Sequence, residues 1–478
     1  MSDIASGFLA RNSLIETEAA EALLAEVAAS DMETVRLVFA DQHGILRGKT
    51  LAKEALRSAF TSGIAVPSTL LLKDTSHRTA FPVWSEDPGI GGKFMRGAGD
   101  ILLVPMPEAF HRLPWAEHSA WLPCDVVFRD GSDIPFSPRS ILRRATQTLA
   151  DQGYSALMGL EIEFHVFRRV DPALGHHQTT MPGAPVSTEA LVQGYQYLTD
   201  ARYGEAEDVL DLLRRTAQAM NMPVRSIEIE MGPSQFEMTF EPDSPMAHAD
   251  RMTLFRAMVK EVCAKRGLHA SFMPRPRLEN VAANGWHIHQ SLTDTAGRNV
   301  FIPQKAQGIT DTASAWLGGL LHNASAMSLL VAPTVNSYKR YQPYQLAPNR
   351  IAWGRDNRGA MLRALFAEND PASRIENRAP DSSANPHFAF AGQLVAGLDG
   401  LAHTLSAPPP TETPYDSGAR LLPGNLGEAI DAFSASGVFR TAFGSECVDY
   451  LTTLKRFEWQ RYLASISEWE QAEYFNLL

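Results

Sequence analysis

Several short runs of this chain alternate apolar and polar positions, and others follow a helical period. In 158-MGLEIEFHVF-167, Glu161 and Glu163 stand two apart among Gly, Leu, Ile, Phe and Val. A strand places both on one face. Like charges that close repel, and buried charge is costly. Either a cation sits between them or, taking the segment alone, this is an exposed edge strand. The run 34-TVRLVFADQHGILRGKTL-51 predicts a hairpin around a DQHG turn. Strands are also expected at 68–73, 100–106 and 120–128. Residues 13–29 predict a helix capped by Ser13, and 136–153 a helix with Ser137 as cap and Pro138 in its first turn. The apolar stretch 315–333 contains His322 and Asn323 and predicts a buried helix, not a membrane span. The change of pattern places a mostly β region at 1–135 and a mixed helix–strand region at 136–478. The Pro-rich loop 406–414 falls inside the second region.

Three further stretches repeat the oddity of the first. In 226-SIEIEMGPSQFEMTF-240, Glu230 and Glu237 flank a Gly-Pro turn and could meet across a hairpin. In 283-ANGWHIHQSL-292, His287 and His289 share a face. In 374-RIENR-378, Arg374, Glu376 and Arg378 alternate. Each alone is weak: a strand histidine is usually structural, and RxExR is usually a surface ion-pair ladder. Together, five glutamates and a histidine on strands suit a hard divalent cation, Mg²⁺ or Mn²⁺, and are not a typical zinc set.

The 478 residues are 45% hydrophobic and 20% charged, ordinary globular composition with room for more than one domain. A net charge of -11 makes nucleic acid or an anionic membrane a poor partner. Cys124, Cys263 and Cys447 are far apart, form no CxxC and read as free thiols of a reducing compartment. The N-terminus has acids where a signal peptide needs basic and apolar runs, so a cytoplasmic protein is expected. Against this acidity, Arg340, Arg350, Arg355, Arg358, Arg363, Arg374 and Arg378 cluster. Clustered arginines point to carboxylate or phosphate recognition, and metal with arginine to ATP. The chain has no GxxxxGK[ST] loop, kinase signature or GxGxxG fingerprint.

The ordered motifs GLEIEF, EMGPSQFE, NGWHIHQSL, NSYKR, RDNR with a following arginine, and RIENRAPDSSANPH resemble the glutamine synthetase superfamily over nearly the whole chain. The resemblance implies an α+β protein: an N-terminal β-grasp domain, then a catalytic α/β domain with an antiparallel sheet. It implies a homo-oligomeric ring, often a dodecamer of two hexamers, with active sites between subunits. Glu163, Glu230 and Glu237 would bind one metal, and Glu161, His287 and Glu376 a second. Asn284, Gly285, Arg340 and Arg378 would hold L-glutamate. Arg358 and Arg363 would meet the ATP phosphates, with Arg374, His289 and Ser291 near the nucleotide. The implied chemistry is phosphorylation of the γ-carboxylate and attack by a neutral amine.

Ammonia-using members carry a flap glutamate after NSYK, and 340-RYQPYQLAP-348 has Leu346 there. The second ammonium group, an aspartate in a DGSS-like stretch, has Asp74 in 71-LLKDTSHRTAFP-82 as its nearest counterpart. General-base help is worth ~10²–10⁴-fold, so loss of both groups favours an amine already neutral at pH 7. An apolar site also disfavours a polycation. Tyr341, Tyr344, Phe81 and Trp84 could line it or could simply be packed. The expected activity is a γ-glutamyl amide ligase for an apolar or aromatic amine. A polyamine (putrescine) ligase is the alternative, then an ammonia-dependent enzyme, then an inactive structural relative.

Overall fold

We describe residues 3–478 of a computed structural model, apart from Pro172, Pro343 and Ser417. Two sheets organise it. The first holds β1 (Thr34–Ala40), β2 (Leu46–Ala52), β3 (Ile64–Pro67), β4 (Asp100–Pro105), β5 (His111–Arg112) and β6 (Ser119–Phe128), in the order β2-β1-β6-β4-β3 with β5 on β6. The expected hairpin forms its edge, and β6 returns parallel to β1. Asp41 closes the turn by accepting the N–H groups of His43 (2.8 Å) and Ile45 (3.0 Å). Gly44 takes φ +69°, and a Cβ there would lie 2.4 Å from the Arg256 guanidinium, so glycine is needed on both counts.

The second sheet holds β7 (Tyr154–Arg169), β8 (Thr188–Ala190), β9 (Val224–Ile229), β10 (Gln235–Asp243), β11 (Leu268–Ser271), β12 (Trp286–Asp294), β13 (Trp353–Arg355), β14 (Leu362–Leu365) and β15 (Arg374–Asn377). Its order is β13-β14-β15-β12-β7-β10-β9, with β8 and β11 also on β7. All its pairs are antiparallel except β13–β14. Alternation along β7 answers the opening puzzle. Leu160, Ile162 and Phe164 are buried on one face, where Phe164 packs with Phe236, Phe255 and Phe272. Glu161 and Glu163 therefore share the other face, in the middle of the sheet. The edge-strand reading is excluded.

Four local expectations change. The 13–29 helix runs Thr17–Ala29, and Ser13, with φ 55°, caps nothing. Residues 68–72 form a 3-10 helix, not a strand: the Leu-Leu-Leu run has no period of its own, and the adjacent Leu71 and Leu72 are both buried. The 315–333 stretch is two helices, Asp311–His322 and Ala324–Val331. Asn323 divides them by donating to Gly319 O and the Asp399 carboxylate. Pro138 opens its helix as expected, but Ser137 makes no side-chain cap bond. No helix of the described residues is long and apolar enough to cross a membrane. All three cysteines are buried and free.

The Ser445–Leu463 helix turns back onto the first sheet's loops. There Tyr450 stacks on Phe81 and donates to Leu71 O. Behind the second sheet, Arg139 and His387 converge on Asp250, at 3.1 and 2.9 Å. Burial opposes the Asp250 charge, but the His387 and Arg139 contacts prevail and hold its pKa at about 2. That lies below the ~4 of a free aspartate, so the stabilisation is complete above pH ~4 and fades as pH falls towards 2. Asp250→Asn is expected to cost about 2 kcal/mol at pH 7 by urea unfolding, and this penalty should shrink below pH 4. Wild-type stability in the variant at pH 7 would contradict the pairing.

Candidate active site

Register brings the polar positions together. Across the sheet, Glu161 pairs with His287 and Glu163 with Glu237, while His289 pairs with Glu376 and Glu376 with Arg363. Gly159 lies opposite His289, where a Cβ would sit 3.3 Å from the histidine Cβ. Ligand atoms of Glu163, Glu230 and Glu237 lie within 4.8 Å of one another, as the first expected metal set requires. The second set is arranged differently. Glu161 stands between both imidazoles, 3.0 Å from His287 Nδ1 and 2.9 Å from His289 Nε2. The close groups are Glu161–His289–Glu376 and Glu161–Glu237–His287. His289, expected near the nucleotide, thus lies close to Glu161 and Glu376, and His287 Nδ1 stays 3.8 Å from Glu376.

Charge explains why this cluster calls for cations. Burial, then the Glu163 carboxylate, pushes Glu230 up to about 8. Burial and the charges of Glu163, Glu161 and Glu230 push Glu237 well above the carboxylate range. A divalent ion among these oxygens would let all three ionise, so the donor set fits one. The other half is already balanced. Burial disfavours the Glu161 charge, but hydrogen bonds from His287 and His289 overcome it and hold the pKa well down. Burial likewise opposes Glu376, and Arg378 with both histidines brings it to about 2.

Arg378 is ion-paired with Glu376, and Arg363 reaches it at 3.0 Å while also holding Asp356 at 2.9 Å. Arg374 Nε donates to His289 Nδ1 at 3.0 Å. Ser291 extends the His287–His289 row along β12. Gly285 donates its N–H to Glu163 (2.7 Å), and a Cβ there would lie 3.1 Å from both Arg340 and His287. Arg340 is buried and donates to Ala379 O, leaving Nε unpartnered. The Asn284 side chain is bonded to Gln235, Met273 O and His165 and its N–H to Pro274 O, which leaves its backbone carbonyl for a substrate. Arg358 is exposed.

The expected amine-pocket residues do not form one group. Phe81 is core, and Asp74 is fully buried, accepting from Arg461 (2.9 Å) and from the N–H groups of Ser76 and Arg78. Its carboxylate is a loop clamp within the chain, not a free amine acceptor. Tyr341 packs edge-on to Tyr338, while Tyr344, Leu346 and Trp84 are exposed. Pro343 of the flap lies outside the described residues.

Sequence reasoning missed a strap over the carboxylates. Ser234, buried at φ 58°, accepts the N–H groups of Leu191 (2.7 Å) and Val192 (3.2 Å). Beyond them Tyr195, Gln196 and Leu198 all have positive φ, and Tyr195 and Leu198 donate to Met231 O and Ile229 O. Such residues cost about 1–3 kcal/mol each and gather at functional sites. Burial, then Glu230 and Glu237, raises the Tyr197 pKa, which puts this ring beside the cluster. Gln235, bonded to Glu163 and Asn284, and Ser382, which donates to Glu163 O and Gly285 O, were also missed. Buried hydroxyls and amides carry no period of their own.

Residues 135–474 match the family description "Glutamine synthetase, catalytic domain". The chain belongs to the glutamine synthetase family. It is an ATP-dependent ligase of a family that uses divalent metal ions. It is 37% identical to γ-glutamylanilide synthase of Acinetobacter sp., covering 98% of this chain and 99% of that one. Identity is 33% to a γ-glutamylethanolamide synthetase of Streptomyces coelicolor (95% of each chain) and 33% to a glutamine synthetase of Halobacterium salinarum (96% and 97%). The solved structure of ligand-free GmaS superposes with a TM-score of 0.80 at 28% identity, over 95% of this chain and 99% of that one.

The crowding of Glu163, Glu230 and Glu237 makes a reversible prediction. In metal-free buffer at pH 8, Glu237→Gln should be more stable than wild type by on the order of 1 kcal/mol, because glutamine is spared the cost of taking up a proton on a carboxyl that is ionised in the unfolded chain. With Mg²⁺ or Mn²⁺ the order should reverse. A variant less stable in both buffers would mean the carboxylates do not strain the metal-free fold.

Proposed function

We propose that this ligase joins the γ-carboxylate of L-glutamate to an aromatic or otherwise apolar amine through a γ-glutamyl phosphate. A γ-carboxylate oxygen attacks the terminal phosphorus of ATP and ADP leaves. The amine nitrogen attacks the acyl carbon, phosphate leaves, and the nitrogen gives up a proton. Arg340, Arg378 and the Gly285 N–H would bind glutamate, and Arg358 and Arg363 would meet the phosphates. Bound Mg²⁺ or Mn²⁺, held by Glu163, Glu230 and Glu237 and by Glu161, Glu376 and the two histidines, would neutralise phosphate charge. The same reading takes residues 1–135 and 136–478 as two domains, a cytoplasmic location, and a ring-shaped homo-oligomer with active sites between subunits.

Leu346 carries the choice of amine. An ammonium ion must lose a proton before it can attack, and the flap offers no carboxylate to take it. An arylamine is neutral at pH 7 and prefers an apolar wall, which Leu346, Tyr344 and the Tyr195–Leu198 strap could supply. The 37% identity to γ-glutamylanilide synthase across the whole chain supports this. The ethanolamide-forming relative at 33% keeps a small polar amine as the second reading.

Phosphate release from ATP and glutamate, measured against aniline, ethanolamine, isopropylamine, putrescine, spermidine and ammonium with mass spectrometry of products, tests it. Aniline should lead and ammonium trail. Leu346→Glu should raise kcat/KM for ammonium by about 10²-fold and lower it for aniline. Wild-type preference for ammonium or putrescine would sink the reading.

A further inference from the structure

A cavity of about 620 Å³ lies between the β1–β2 turn and the helices behind the second sheet. None of the candidate metal ligands lines it. The size and the site at a junction of two sheets suit a small-molecule pocket. Leu329, Leu330, Phe388 and Leu451 form an apolar wall. Four charged side chains interrupt it: Arg256 and Lys260 from the Pro245–Ala264 helix, and Lys455 and Glu458 from the Ser445–Leu463 helix.

The charges cancel only in part, with Asp381 and Asp41 acting on Arg256 from beyond ion-pair distance. Lys455 and Glu458 form a buried pair at 3.1 Å. Arg256, also buried, donates only to the carbonyls of Ser382, Ala384 and Gly44. Among the described residues no carboxylate stands within ion-pair distance of Arg256 or Lys260. Two positive charges one helical turn apart therefore face an apolar space. Gln42 adds a second feature: its Nε2 donates to Lys73 O, while its buried Oε1 lacks a donor. A carboxylate needs what Arg256 and Lys260 offer, and a ligand hydroxyl or amine would satisfy Gln42.

We propose that this cavity is an effector site for a small carboxylate with an apolar body and one hydrogen-bond donor, such as a 2-hydroxy acid with an aryl or branched alkyl group. Ser382 links it to the active site. Its carbonyl accepts from Arg256, and its hydroxyl donates to the carbonyls of Glu163 (2.5 Å) and Gly285 (2.9 Å). A carboxylate that draws Arg256 towards itself loosens its grip on Ser382, and with it the strand carrying Glu163 and the backbone at Gly285. Occupancy changes glutamate binding without touching glutamate.

The probe is 4-fluoromandelate, followed by ¹⁹F line broadening on the full-length protein, with 4-fluorobenzyl alcohol as the uncharged control. Saturable binding is expected, and saturating glutamate with ADP should shift its affinity by the same factor that the probe shifts glutamate, without competing it away. It should weaken about tenfold in Lys260→Ala, at the rim, and in Leu451→Trp, which fills the space; Arg256→Gln should do the same if it folds. The KM for glutamate should shift at least about twofold with the probe in wild type and not in Leu451→Trp. Absence of saturable binding overturns the site, as does displacement by glutamate and ADP. Equal binding of the alcohol overturns its anion chemistry. Binding with an unchanged KM overturns its coupling to Ser382. The binding readouts do not depend on which amine the enzyme uses, and the KM is taken with whichever amine of the panel turns over.

Discussion

Repulsion among carboxylates on one face of the second sheet is the constraint around which the rest is arranged. Glu161, Glu163 and Glu237 are fixed by strand register, so they cannot separate without breaking the ladder. Glu230 is brought in by the turn after β9. Such crowding persists only if the surroundings are stiff and cations or donors fill the gap. One half meets it with protein donors: two histidines on Glu161 and two arginines on Glu376. Among the described residues, the other half, Glu163, Glu230 and Glu237, has only the Gln235 amide, the Gly285 N–H and the Met231 N–H. That asymmetry marks where a cation adds most. It also accounts for Gly159 and Gly285, which remove side chains where an imidazole and a guanidinium press in.

The buried networks behind the sheet have a matching role. The apolar face of β7 rests on an aromatic layer of Phe236, Phe255 and Phe272. Arg139, Asp250 and His387 clamp three helices beneath it. Dense packing resists small displacements, and a site built on strand register inherits that resistance. The strap at 195–198 contrasts with this. It is held by backbone bonds to the 229–231 segment and by the Ser234 hydroxyl, and its side chains are exposed.

What was legible in the sequence follows from which features carry a period. Strand alternation with acids at every second position fixed the shared face, and the GP turn between Glu230 and Glu237 fixed their meeting. The Leu-Leu-Leu run at 70–72 has no alternation, and tertiary packing decided it as a 3-10 helix. Asn323 splits a helix by bonding Asp399, seventy-six residues away, which no local window contains. Likewise, Asp74 looks like a free acid in sequence, and only Arg461, from the far end of the chain, shows it to be a clamp.

Arg256 shows how one residue can link regions that sequence keeps apart. It lies on a helix beneath the sheet and holds the Gly44 carbonyl of the first sheet's hairpin together with the carbonyls of Ser382 and Ala384. Burial lowers its pKa to about 10 against the opposing pull of the Asp381 and Asp41 charges, so it stays charged at neutral pH while its hydrogen bonds go to neutral oxygens. Three carbonyls offset the desolvation of a guanidinium incompletely. A residue needed only to brace two segments could be a neutral donor. A charge kept at that cost, with a second cation one turn away and an apolar cavity in front, is better explained by something negative that comes and goes. The Ser382 hydroxyl carries its arrival to the backbone carbonyls of Glu163 and Gly285.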